Sequence, residues 1–527
     1  MGPAGQVRSA DLRRWMAVSE RRLAELIGAL SLATDLGMGQ PMEFALGVAV
    51  LGVGLADRAG LGPADKTDVF YLALVKHIGC TSDAFEFAGF VGGDDVAFRR
   101  RAMLWPATPK PQVLRAIVRH TGEDRPPLER ARLVAGMVAG GEKRPRQSVA
   151  AHCQAGGRLA ERLRLSEGVQ AGLRHEQERW DGAGLPDGLS GESLSTAHRV
   201  VMVAHDALAI SESGADVVDV VTARAGKAYD PQVVEAFADA WAVFAAEEPS
   251  DRWARALAAE PHPPVVLADA DIDRVALAIA DFTDLKSPFL LGHSTRVAGL
   301  VDAAADAIGM SGDERATARR AALLHDVGRT GIPNGIWDKP AVLTAGEMER
   351  VRLHSYYTER VLARSPVLAH LAVTAGSHHE NLDGTGYHRG VAAGYLDRTA
   401  RLLRAADCLD AMVSDRPHRP PLSLDEAAAW LKAEVDAGRL DADAVTAVLG
   451  VAGAPHVRLR PMRPGGLSER EVEVLRLMVR GLSNREIGAR LYVSPKTVGH
   501  HVQHIYTKTG VTSRAGAALY AMESGLI

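Results

Sequence analysis

Apolar residues recur at spacings of three and four along most of the chain, as in Val297, Leu300, Val301 and Ala304. That period predicts helices burying one face against a shared core. No stretch alternates apolar and polar residues over the length of a strand, so the expected fold class is all-α. The helical pattern is interrupted at Glu247–Asp251 (EEPSD) and Glu260–Pro264 (EPHPP), and again through the Pro-, Gly- and Arg-rich Gly453–Gly466. The breaks divide the chain into blocks 1–248 and 266–452, a linker 453–466, and a final block 467–527.

The first two blocks read as an internal repeat. Asp57-Arg-Ala-Gly-Leu matches Asp306-Ala-Ile-Gly-Met, and Leu72-Ala-Leu-Val-Lys-His-Ile-Gly matches Ala321-Ala-Leu-Leu-His-Asp-Val-Gly at the same displacement. Further on, Arg174-His-Glu followed by Asp181-Gly-Ala-Gly echoes His378-His-Glu followed by Asp383-Gly-Thr-Gly. Helices carrying Ala204-His-Asp and Ala406-Asp-Cys follow.

The final block predicts four short helices with clear punctuation. Ser468-Glu-Arg-Glu471 and Ser483-Asn-Arg-Glu486 are capping boxes, and Ser494 with Pro495 fits an N-cap and first helical position. Gly481 and Gly510 are stops, and Ser513–Met522 predicts the last helix. A short helix, a tight turn and a capped second helix make a helix-turn-helix, whose second helix enters the major groove of DNA.

Charge sharpens that reading. The 527 residues carry a net charge of −4, so the chain as a whole carries no signal for nucleic acid or membrane. From His456 onward, however, eleven basic residues face five acidic ones, a local excess of +6 that marks a phosphate-binding footprint. Hydrophobic content of 47% is ordinary for folded domains, and no apolar run is long enough to span a bilayer. The three cysteines have neither disulfide nor metal-type spacing, and the expected location is the cytoplasm. The chain lacks a glycine-rich phosphate loop of the P-loop or Rossmann kind and the strand–helix alternation of a receiver domain.

The chemistry is concentrated between 293 and 407, where His293, His325-Asp326, His354, His378-His379 and Asp407 follow in order on helices. Imidazole and carboxylate donors without thiolate suit Fe, Mn or a similar divalent ion. Two such ions can clamp a phosphodiester and activate water against it.

Leu323-Leu-His-Asp-Val-Gly328, Ile332-Pro333, Lys339, His354, His378-His379-Glu380, Asp383-Gly-Thr-Gly-Tyr387, Ala406-Asp407 and Asp415-Arg-Pro417 resemble the HD-GYP phosphohydrolases, over nearly all of 285–435. The resemblance implies a helical bundle around a metal centre and hydrolysis of cyclic di-GMP. It implies metal ligands His293, His325, Asp326, His354, His378, His379 and Asp407, with His325, Asp326 and Arg329 catalytic. It further implies substrate contacts from Arg329, Lys339, Gly386, Tyr387 and Arg416. Three positions depart from the family pattern: Arg329 stands where Lys is usual, His388 replaces the proline of the Gly-Tyr-Pro loop, and Phe289 lies where trinuclear members supply an acid. The expectation is therefore two metal ions.

On the repeat, the pair His325-Asp326 becomes Lys76-His77, His293 becomes Phe44 and His378-His379 becomes Arg174-His175, leaving His152, His175 and Asp206 as counterparts. The first block is expected to hold no dinuclear centre and to serve sensing or dimerisation.

The final block looks like a LuxR-type DNA-binding domain over its full length, through Leu467-Ser-Glu-Arg-Glu, Gly481-Leu-Ser-Asn-Arg-Glu-Ile, Leu491-Tyr-Val-Ser-Pro-Lys-Thr-Val and Lys508-Thr-Gly-Val. By that likeness Lys496, Thr497, Val498 and His500 face the groove, and Arg485, Lys508 and Arg514 lie near the DNA backbone. Gly499 stands where a basic residue is common. Binding to double-stranded DNA as a homodimer is the expected mode.

Overall fold

The computed structural model describes residues 21–103, 110–123, 125–139, 143–247, 251–454 and 464–511, with Arg514, Ala517, Tyr520, Ala521, Ser524 and Leu526. Most of the linker 453–466 and most of the expected helix Ser513–Met522 lie outside these residues. Among the described residues the structure is helical, with only isolated β-bridges and no sheet. Among the described residues no helix is long and apolar enough to cross a membrane. The chain divides into two compact units, Met1–Ala278 with Arg364–Ala369, and Ile279–Ala363 with His370–Ile527.

The repeat is visible helix by helix. In the first copy the relevant helices are α1 (Phe44–Arg58), α2 (Pro63–Val75), α3 (Lys143–Arg162), α4 (Glu167–Arg174) and α5 (Thr196–Ser211). Their counterparts are α6 (His293–Ala307), α7 (Gly312–Leu324), α8 (Ala345–Arg364), α9 (Ala369–Gly376) and α10 (Arg398–Val413). A shift of 249 positions carries α1 and α2 onto α6 and α7, end for end, and a shift of 202 does the same for α3, α4 and α5. The first copy takes up the difference of 47 residues with four extra helices between Ala84 and Ala139.

That register corrects the sequence alignment of the first block. His378 and His379 correspond to Glu176 and Gln177, not to Arg174 and His175, and Asp407 corresponds to His205, not to Asp206. Close packing at the loop settles the point. A Cβ on Gly386 would meet Glu380 Cα at 2.4 Å and Asn381 N at 2.5 Å, and one on Gly184 would meet Glu178 Cα and Arg179 N at the same distances. Glu178 and Glu380 are thus equivalent, and each accepts backbone N–H groups from the far side of its own loop.

Candidate metal centre and nucleic-acid interface

His293, His325-Asp326 and His378-His379 sit at helix ends, whereas His354 and Asp407 point inward from within α8 and α10. Gly292, in the left-handed region at φ 73°, starts α6 directly at His293. His325 caps α7, whose buried alanines and leucines anchor it. Gly328 then lets the chain pass against α8: a Cβ there would lie 2.1 Å from His354 O. All seven residues meet at one buried point except His379, which is partly exposed.

Asp326 is the hinge of the arrangement. Its Oδ2 lies 3.3 Å from His293 Nε2 and 3.2 Å from His325 Nε2, while Oδ1 lies 3.7 Å from His354 Nε2 and 3.4 Å from His378 Nε2. Asp407 repeats the pattern, with Oδ1 3.4 Å from His293 Nε2 and Oδ2 4.0 Å from His379 Nδ1.

The proton positions suit a cation. The Nδ1 atoms of His325, His354 and His378 donate to the carbonyls of Ala322, Val351 and Ala375 at 2.7, 2.5 and 2.6 Å. Their Nε2 atoms are left as lone pairs. His354 Nε2 and His378 Nε2 then face each other at 3.0 Å. Asp326 Oδ1 and the Nε2 atoms of His293 and His325 have no hydrogen-bond partner, and Asp326 Oδ2 is paired with Arg329 Nη1 at 2.7 Å. Buried lone pairs directed at one another repel unless positive charge lies between them, so these residues fit a divalent metal.

The field agrees. Burial depresses the imidazole of His293, but Asp326, Asp407 and Asp410 reverse this and raise it to about 10. His325 rises to about 9 in the same way, while burial and then His378 hold His354 down at about 3. Burial pushes Asp326 up, but Arg329 and then His325 hold it well below the usual carboxylate range.

The substrate-side residues divide. Arg329 is buried, with Nη1 2.7 Å from Asp326 Oδ2 and its guanidinium 4.4 Å over the Trp337 ring. Arg416 is held down in pKa by burial and then by Arg329, so two guanidinium groups share this corner. Tyr387 stacks on His379 at 4.8 Å. Lys339 is engaged instead by both oxygens of Glu347 at 2.8 Å. His388, where the family pattern has proline, faces Glu359 at 3.3 Å, beside the ion pair from Arg389 to the same carboxylate.

Three supporting residues have no motif of their own. Asp410 accepts from His293 Nδ1 at 2.7 Å and is fixed by Arg296. Arg404 donates to His379 Nδ1 at 3.1 Å and to Asn381. Trp337 supports Arg329 and lies edge-on to His354. Asp410 was detectable as one helical turn beyond Asp407 on α10; the other two had no signal.

In the final block, α11 (Glu469–Val479), α12 (Asn484–Leu491) and α13 (Pro495–Thr509) begin at Ser468, Ser483 and Ser494, each capping as expected. Lys496 and His500 are exposed on α13, Thr497 is half-buried, and Arg485 is exposed on α12. Val498 corrects the sequence reading. Its side chain is fully buried among Val472, Leu475, Ile487 and Ile505, so it holds the domain core and cannot reach a base edge. Lys508 pairs with Glu471 at 2.8 Å, and Arg514 donates to Leu482 O and Asn484 Oδ1, so both brace the helices as well.

With this geometry in hand, comparison with known proteins is direct. The HD domain family model matches residues 142–233 and 278–444, covering part of both copies, and the model for bacterial regulatory proteins of the luxR family matches 466–521. The chain is 32% identical over 418 residues to the 3′3′-cGAMP-specific phosphodiesterase 3 of Vibrio cholerae, spanning 78% of this chain and 90% of that protein. A cyclic di-GMP phosphodiesterase of Thermotoga maritima is 40% identical over a shorter 137 residues, 26% of this chain and 37% of the relative. The crystal structure of a cyclic GMP-AMP-specific phosphodiesterase of V. cholerae aligns with a TM-score of 0.58 at 27% identity, covering 83% of this chain and 99% of that one. The chain belongs to the HD-domain family of metal-dependent phosphohydrolases and carries a LuxR-type DNA-binding domain at its C-terminal end.

Proposed function

We propose that this chain is a cytoplasmic cyclic-dinucleotide phosphodiesterase whose second copy hydrolyses the substrate and whose LuxR-type domain binds promoter DNA as a homodimer. The observation that carries the enzymatic half is Asp326, with one oxygen toward His293 and His325 and the other toward His354 and His378. A carboxylate so divided suits two divalent ions, Fe or Mn by the donor set. His293 and His325 would hold one, and His354, His378 and His379 the other, with Asp326 and Asp407 shared between them. Such a pair, when bound, supplies Lewis acidity at the phosphoryl oxygens and makes water a competent nucleophile at neutral pH.

The protein's own residues supply the rest. Arg329, packed over the Trp337 ring, offers a fork of donors that matches a phosphodiester bidentately. Arg416 adds a second positive charge at the same corner. Tyr387 walls the centre beside His379, and burial raises its pKa, so its hydroxyl stays protonated and able to donate.

Two substrates fit the relatives. The one whose match runs through most of this chain is named for 3′3′-cGAMP, and the 40%-identical one for cyclic di-GMP. The test is hydrolysis of each by Mn- or Fe-loaded protein, resolved by chromatography, beside a His325→Ala/Asp326→Ala control. Linear dinucleotide or mononucleotide release that the double variant loses supports the enzyme. Metal binding without turnover of either compound leaves a nucleotide-sensing transcription factor.

A further inference from the structure

The first copy keeps half of the centre. His77, His152 and Glu176 stand at the positions of Asp326, His354 and His378, the set on one side of the second copy's shared carboxylate. One donor atom from each lies within 4.8 Å of the others. The scaffold beneath them is unchanged: a Cβ on Gly79 would lie 2.1 Å from His152 O, as one on Gly328 would from His354 O. His152 Nε2 lies 2.7 Å from Glu176 Oε2, both buried, and His77 Nδ1 lies 2.8 Å from Glu176 Oε1, so both imidazoles converge on one carboxylate. The second copy likewise turns imidazole nitrogens onto a buried carboxylate, Asp326.

The other half has been replaced. His293 becomes Phe44, which packs edge-on against His205 at 5.5 Å, and His325 becomes Lys76. The Lys76 ammonium, nearly buried, lies 3.3 Å from Glu176 Oε1, on the side of the carboxylate away from His152. A fixed positive charge thus fills one cation position. Two imidazoles and one carboxylate remain at the other, a donor set that suits Fe, Mn, Co or Zn.

We infer that the first copy binds a single divalent cation through His77, His152 and Glu176, with Lys76 standing in for the second ion. The site lacks the paired ions that clamp a phosphodiester, so its role is to fix α2, α3 and the segment after α4 against one another. It makes this copy's rigidity depend on metal supply, separately from hydrolysis in the second copy.

The direct test uses the wild-type chain crystallised with Mn2+ and diffraction data taken at the metal absorption edge. An anomalous peak between His152 and Glu176 is expected. Its absence overturns the inference, whether or not the second copy is filled, and occupancy at Asp326 judges the proposed enzyme independently. A second readout is metal content by mass spectrometry. Glu176→Gln and His152→Gln, each checked for helicity, should lose about one equivalent per chain while hydrolysis persists. Unchanged metal content in both variants would instead mean that Lys76 and Glu176 form a self-contained ion pair.

Discussion

At the scale of single residues, the centre depends on groups that never touch an ion. Asp410 orients His293 through Nδ1 and is itself held by Arg296. Partners of this kind typically cost 10–100-fold in metal affinity when removed. Asp410→Asn should therefore weaken Mn2+ binding by roughly 10–100-fold in a competition titration while the chain stays helical; unchanged affinity would show that His293 is oriented without it. Arg329 has a different task. Arg329→Ala should keep the metal but lower kcat/KM by about 100-fold, and Arg329→Lys should restore charge but only part of the rate, because an ammonium cannot reproduce the bidentate fork. Val498 shows how residue-level likeness can mislead. A position adjoining the groove-facing candidates Lys496 and Thr497 is here a core residue at 0% exposure. Val498→Ala should cost about 2 kcal/mol of stability by thermal unfolding, a packing loss and not a lost DNA contact.

At the scale of elements, much of the molecule was legible from sequence and the rest was not for definable reasons. Capping boxes at Ser468 and Ser483 and the Ser494-Pro495 start place three helices because cap chemistry is local. The seven candidate ligands stand out in the sequence because they fall in short motifs, with His293, His325-Asp326 and His378-His379 at helix ends and His354 and Asp407 inside helices. The first copy's register was not, since 47 additional residues separate its two halves and Arg174-His-Glu imitates His378-His-Glu two positions out of step. The glycine loop resolves it, because backbone contact tolerates no shift. In the second copy Gly386 lets the chain lie on Glu380 and Asn381, while Glu380 gathers the N–H groups of Arg389, Gly390 and Val391. Gly386→Ala forces that loop away and Tyr387 off His379. Hydrolysis should fall by at least about 10-fold with helical content intact; full activity would show that the loop does not shape the site.

At the scale of the whole molecule, two chemistries with different physical demands share one chain. The centre needs buried carboxylates, whereas the DNA-binding block concentrates positive charge on a chain with a net charge of −4. Among the described residues the core of that block is wholly aliphatic apart from Met478, so chelation that abolishes hydrolysis should leave its fold and its DNA affinity in place. Its affinity should instead answer to salt, since each phosphate contact releases condensed counterions. Lys496 is exposed on α13 and one of the groove-facing candidates. Gly499, on the same helix, has nothing closer to a built Cβ than Asn484 Nδ2 at 3.8 Å, so no close packing there requires glycine. Lys496→Ala should flatten the slope of log affinity against log salt by about 1, and Gly499→Lys should steepen it by about 1 while adding helix stability. Fluorescence anisotropy on a duplex across a salt series reads both slopes. If neither substitution moves the slope, α13 does not lie against the phosphate backbone, and the eleven basic residues serve another surface.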